Sequence, residues 1–135
     1  MSVIKWRESF NVGVDQFDQE HRKILELING MFEAIRDKKD KESVVRICKE
    51  TLSYTEYHFT NEEKALQEVD YPDLEEQLAE HARLRSEAER FQMLINDDAP
   101  KGATEFYLFL REWLIDHILV CDKKYGPYFK EANNT

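Results

Sequence analysis

Glycine and proline are scarce in this chain, with four and three among 135 residues. So few turn formers argue against a β fold and for long uninterrupted elements. No apolar run approaches the ~20 residues of a spanning helix. Basic residues are also too few: 19 Lys and Arg against 28 Asp and Glu give a net charge of −9. That balance argues against binding nucleic acid or an anionic membrane surface, both of which need a basic face. It leaves room for an acidic protein that holds metal cations. The start, "MSVIKWRESFNVGV", lacks a basic region followed by an apolar block, so no signal peptide is expected. Only two cysteines occur, Cys48 and Cys121, far apart and outside any CxxC pattern. Free thiols in a reducing cytoplasm are the expectation. P-loop, GxGxxG and GxSxG motifs are missing.

What is present is helical periodicity. The hydrophobic share is 41% and the charged share 35%, a globular rather than a disordered balance. After an arm of about residues 1–15, Phe17, Ile24, Leu25, Ile28, Phe32 and Ile35 form one apolar stripe. A second helix is expected from about Glu42 to Gln67, through Val45, Cys48, Leu52 and Phe59. "VDYPD" breaks it, with Asp70 as a candidate cap and Pro72 in the first turn of a third helix. That helix runs to about Ile95, through Leu74, Leu78, Leu84 and Phe91. "NDDAPKG" reads as a loop. A fourth helix is expected from about Ala103 to Lys124, through Phe106, Leu110, Trp113, Leu114 and Ile118, limited by Pro127. The fold class is therefore all-α: an up-down-up-down four-helix bundle over about 16–124, in one domain with an N-terminal arm and a short C-terminal tail.

The four histidines, His21, His58, His81 and His117, fall one on each helix. His21 and His117 lie among inward apolar positions. A single inward histidine is commonly a hydrogen-bonded core residue. Four of them, one per helix, would leave several buried polar groups without partners, at ~1–3 kcal/mol each. A shared metal site satisfies all of them at once. Glu62 follows His58 by four residues and shares its face. Asp122 follows His117 by five, about 500° of helix, or roughly 140° away from its face. It reaches the same site only near a helix end or through local distortion. Imidazole suits iron, zinc, copper and nickel, and carboxylates can bridge two cations. A dinuclear site is the natural reading of this donor set.

Four blocks carry a family resemblance: "NVGVDQFDQEH" ending at His21, "HFTNEE" at 58–63, "YPDLEEQLAEH" at 71–81 and "WLIDHILVCDKKYGPY" at 113–128. In these, over nearly its whole length, the chain resembles the hemerythrins, specifically the single-domain bacterial form. The resemblance implies two iron ions joined by an oxo or hydroxo bridge. It implies His21 and His58 on one iron, His81 and His117 as two of the three histidines on the other, and Glu62 and Asp122 bridging both. It implies reversible oxygen binding at the two-histidine iron, for storage, delivery or sensing. Peroxide and nitric oxide are further candidate ligands, and the oligomeric state is left open. Leu114, one turn before His117, either limits access to the oxygen pocket or simply packs the core.

One position departs from the family. Its remaining histidine belongs four residues before His81, where this chain has Gln77. Three readings stay open: a weak amide ligand, a hydrogen bond to metal-bound water, or an inward polar residue in a degenerate site. An exchangeable position there favours faster autoxidation. It keeps alive an alternative function, a di-iron peroxidase or oxidase. Glu76 and Glu80 point away from the ligand face. Tyr54 is expected to pack the core, Cys121 to act as a small buried residue, and Trp6, Trp113, Tyr125 and Tyr128 to pack the bundle ends.

Overall fold

The structure is a computed structural model that describes residues 3–117 and 121–133, side chains at 99 and 130–133 excepted. Five helices are described: α1 (Asp15–Arg36), α2 (Lys41–Glu68), α3 (Leu74–Asp97), α4 (Ala99–Asp116) and α5 (Gly126–Asn133). Short 3-10 turns at Glu8–Phe10 and Asp122–Tyr125 complete the elements. α1 packs on α2 and α4, and α3 packs on α2 and α4. Connections this short force sequential helices to run antiparallel, so the four long helices form the expected up-down-up-down bundle. Each buries its apolar stripe: Ile24, Ile28 and Met31 from α1, Phe59 and Leu66 from α2, Leu84 and Phe91 from α3, Phe106 and Leu110 from α4.

The helix ends have identifiable causes. Asp40 caps α2 by accepting from the Ser43 amide at 3.0 Å. α1 and α2 both end in Schellman turns with a left-handed residue after the cap. At α1 the Lys39 amide reaches the Ala34 carbonyl at 3.0 Å around Lys38 (φ 53°). At α2 the Tyr71 amide reaches Leu66 at 3.0 Å around Asp70 (φ 52°). Asp70 is thus part of the stop of α2, not a cap of α3. Pro72 lies in the turn just ahead of α3, which begins at Leu74.

Two further expectations are corrected. "NDDAPKG" is nearly all helix, because Asp98 alone separates α3 from α4. Asp98 accepts from the Lys101 amide at 3.3 Å, and Pro100 occupies the first turn, where no backbone N–H is needed. Gly102 permits the tight reversal, since a Cβ there would stand 2.6 Å from the Ile95 backbone nitrogen. Pro127 does not limit α4. Regular α geometry ends at Asp116, and Pro127 sits in the first turn of α5. Ile118 of the expected stripe lies outside the described residues.

The arm is pinned rather than loose. Asn29 of α1 exchanges two hydrogen bonds with the Ile4 backbone, both 2.8 Å. Asp18 accepts from the Val12 amide at 2.7 Å. Phe10 and Val12 are buried, and Trp6 packs edge-on to Phe10 beneath the Arg22 guanidinium.

Candidate metal centre

The four long helices bring their histidines to one interior level. His21 comes from α1, His58 and Glu62 from α2, Gln77 and His81 from α3, and His117 and Asp122 from the end of α4 and the turn beyond it. All seven side chains are buried, none more than 3% exposed. Asp122 reaches this level although it stands five residues after His117. The backbone at His117 and at Cys121 has the wide i→i+5 type of turn, and Asp122 opens a 3-10 turn. A wider turn brings residues five apart toward one face, which the even spacing of an α-helix does not.

Each carboxylate offers one oxygen to each pair of histidines. Glu62 Oε2 lies 3.0 Å from His58 Nε2 and 3.7 Å from His21 Nε2. Its other oxygen, Oε1, lies 3.0 Å from His81 Nε2 and 3.9 Å from His117 Nε2. Asp122 divides the same way, with Oδ2 at 3.0 Å from His21 Nε2 and Oδ1 at 2.9 Å from His117 Nε2. Despite these distances, none of the four Nε2 atoms has a hydrogen-bond partner of good geometry among the described residues, and neither does Asp122 Oδ2. Buried donors and acceptors are rarely left so. The atoms converge on shared points instead of on one another.

That convergence defines two groups. In one, ligand atoms of His21, His58, Glu62 and Asp122 lie within 4.8 Å of one another; in the other, those of Glu62, His81 and His117 do. First-row metals bind such donors at ~2.1 Å, so neighbouring ligands on perpendicular axes stand about 3 Å apart. The observed spacings suit two adjacent cations bridged by carboxylates. Imidazole with carboxylate is a donor set for borderline metals such as iron, not for magnesium or calcium.

Around this level stands a second layer that the sequence did not reveal. Glu20 Oε1 lies 2.6 Å from His58 Nδ1, and its Oε2 accepts from Asn61 and Gln16, both at 3.0 Å. Glu63 Oε1 lies 3.1 Å from His81 Nδ1 and pairs with Arg85 at 3.2 Å. Such carboxylates fix the tautomer so that Nε2 faces inward. Tyr125, expected at a bundle end, is fully buried, and its hydroxyl donates to Glu62 Oε2 at 2.8 Å. Trp113 also belongs to the site, stacked on His117 at 4.8 Å, and Phe59 stacks on His81 at 3.8 Å. Glu20 and Glu63 adjoin His21 and Glu62 in sequence. Among so many exposed acids, only the helix packing singles them out.

The electrostatics follow from burial set against opposite charge. Burial alone would push the His58 imidazole down; Glu62 and Glu20 outweigh it and hold it up at about 9. His21 and His117 are likewise raised against burial, His21 by Asp122 and Glu62, His117 chiefly by Asp122. Burial would raise Glu62, but His58, His117 and His21 hold it well below the usual carboxylate range. Burial and Glu62 work against Asp122 in the same way, and His117 and His21 bring it down. The two carboxylates thus favour positive charge at this level.

Gln77 sits at the same level as the histidines. Its Nε2 donates to Asp122 Oδ1 at 2.8 Å and to Glu62 Oε1 at 3.3 Å. Both acceptors are the oxygens on the His81 and His117 side. Leu114 is buried and borders a void of about 10 Å³ with Ile4, Trp6, Phe10, Leu25 and Ile115. Tyr54 is half-buried beside Tyr57, and Cys121 is half-buried next to His117. Tyr128 packs edge-on to Tyr71.

Known proteins match this arrangement. The family model "Hemerythrin HHE cation binding domain" matches residues 12–129. The bacteriohemerythrin of Clostridium acetobutylicum is 33% identical over 126 residues, covering 89% of this chain and 96% of that protein. That of Stenotrophomonas maltophilia is 29% identical, covering 99% and 86%. A hemerythrin crystal structure with one leucine changed to alanine superposes with a TM-score of 0.84 at 24% identity, covering 95% of this chain and 98% of that one. That last likeness speaks to the fold, and the first match covers most of the chain and every histidine of the buried cluster. The chain belongs to the hemerythrin family.

Proposed function

We propose that this chain binds dioxygen reversibly at a non-heme di-iron centre inside the bundle. The observation that carries the reading is the set of four buried, unpartnered imidazole Nε2 atoms converging on two shared carboxylates. In this reading His21 and His58 hold one iron, His81 and His117 the other, and Glu62 and Asp122 bridge them. Bound iron would supply the electrons that make oxygen binding favourable. The protein's own contributions are positional. Glu20 and Glu63 orient His58 and His81 through Nδ1. Tyr125 holds one bridging oxygen in place. The stacked rings of Phe59 and Trp113 fix the planes of His81 and His117. Leu114, one turn before His117, packs against the arm beside a small apolar void.

No described helix is long and apolar enough to cross a membrane. The unpaired thiols Cys48 and Cys121 support a reducing cytoplasm as the working compartment. The chain acts as one domain in this reading, with the arm as part of the unit.

Iron content per chain and the visible spectrum of the reduced protein test the function. Two irons and a spectrum that changes with oxygen and reverts on its removal are expected. One iron or none, or an irreversible change, overturns it. Incubation with hydrogen peroxide and a reductant separates binding from catalysis, since sustained turnover would move the reading to an enzyme.

A further inference from the structure

Two surface cavities adjoin where α3 faces the end of α4 and the turn beyond it. One, about 300 Å³, is lined by Tyr71, Asp73, Glu76, Glu80 and Cys121, and Gln77 forms part of its wall. The other, about 430 Å³, is lined by Glu80, Arg83, Glu112, Asp116 and Cys121, and His117 forms part of its wall. Glu80 and Cys121 belong to both, so the cavities adjoin. Gln77 is 3% exposed and His117 is 2% exposed, and His117 Nε2 has no hydrogen-bond partner among the described residues. Among the described residues, Gln77 both lines the first cavity and bonds Glu62 Oε1 and Asp122 Oδ1. The other end of the centre is walled differently. His58 meets Phe17 and Phe59 ring to ring, and His21 packs on His58 at 4.6 Å.

A cation between His81, His117 and the two carboxylates has two imidazoles and at best a neutral amide. With the two carboxylate oxygens that makes four strong donors, which leaves room for a further ligand on an ion that takes five or six. The amide hangs on a flexible side chain and can turn aside without disturbing the helix. The mouths select by charge. Among the described residues, Asp73, Glu76 and Glu80 share the first cavity with a single cation, Lys124, and Glu80, Glu112 and Asp116 share the second with a single cation, Arg83. Such walls repel small anions.

We infer that the metal position on the Gln77 side takes an exogenous small neutral donor, imidazole-sized or smaller, delivered through the α3–α4 cavities, with the Gln77 amide as the group displaced. The inference rests on the di-metal reading above.

The test uses the full chain loaded with cobalt(II), metal content measured for every variant, and free imidazole as the probe, followed by visible absorption. One imidazole per chain should bind saturably. Gln77→His should weaken that binding at least about tenfold, or ~1.4 kcal/mol. Gln77→Ala, which only removes atoms, should strengthen it. Ala79→Phe, at an exposed position that lines only the first cavity, should slow association several-fold at unchanged metal content. Azide should bind alike with and without the Gln77→His change. Two metals per chain with no imidazole response, equal binding by Gln77→His, or an unchanged association rate in Ala79→Phe overturns the inference alone. Fewer than two metals in the unmodified protein overturns the reading beneath it, and the inference with it.

Discussion

Glu20 is the side chain whose importance is hardest to guess from its letter. It is one acid among 28 Asp and Glu, yet it accepts from Gln16 and Asn61 and lies 2.6 Å from His58 Nδ1. Burial would raise its carboxyl, but hydrogen bonds from His58 and Gln16 hold it below the usual range. Glu20→Ala should leave His58 free to rotate and weaken iron retention about 10–100-fold, read by competition with a chelator. Glu63→Ala should cost less, because Glu63 is 20% exposed and water can take over its contact with His81. Equal losses in the two variants would show that orientation of His58 is not what Glu20 contributes. Gln77 teaches the reverse lesson. Its place beside the ligands was legible from spacing alone, but not what it does there. The structure adds a specific contact: the amide bonds both Glu62 and Asp122, at the oxygens on the His81 and His117 side.

Helix ends and the α3–α4 turn hold the main differences between the expected and observed elements. Lys38 adopts φ 53° to close the Schellman turn of α1, a conformation that costs a residue with a Cβ roughly 1–2 kcal/mol. Lys38→Gly should raise unfolding stability by about 0.5–1 kcal/mol, after the extra entropy of glycine in the unfolded chain is deducted, as urea titration would measure. No gain would mean that the lysine side chain compensates for the strain. Gly102 behaves oppositely. A Cβ there meets backbone atoms of Ile95 and Leu94 rather than a movable side chain. Gly102→Leu should therefore destabilise by about 1–3 kcal/mol, with a matching drop in the urea midpoint. A neutral result would show that α3 and α4 can slide apart at this turn. The segment around it reads as a loop because Asp, Pro and Gly mark loops on average. Here Asp98 caps, Pro100 opens a helix and Gly102 admits a neighbour, so the same letters build a one-residue turn.

Across the whole bundle, the centre and the fold are coupled. Two carboxylates and four imidazoles lie buried where apolar side chains would otherwise pack, and cations that bind only the folded chain stabilise it by mass action. Free metal at ~1,000 times its dissociation constant contributes about 4 kcal/mol, or roughly 10–20 °C in Tm for a chain of this size. Thermal unfolding before and after chelation should show that drop, and restored iron should reverse it. An unchanged Tm would show that the bundle does not draw stability from bound metal. The arm belongs to the same unit, through Asn29, Asp18 and the apolar contacts of Phe10 and Val12.

The sequence by itself determined the four long helices, their order and the placing of one histidine on each. Those properties depend on periodicity and spacing within one element, and such local geometry is written along the chain. His58 and Glu62 needed only a four-residue step to share a face. Tertiary structure decided the rest. Asp122 enters the cluster because the backbone from His117 leaves regular α geometry, which ideal helical spacing cannot express. Tyr125 reaches Glu62 across 63 residues, Glu20 lies against His58 across 38, and the α3–α4 cavities exist only where two helix faces diverge. Partners that far apart leave no periodic trace in the chain, because what joins them is the packing of separate helices.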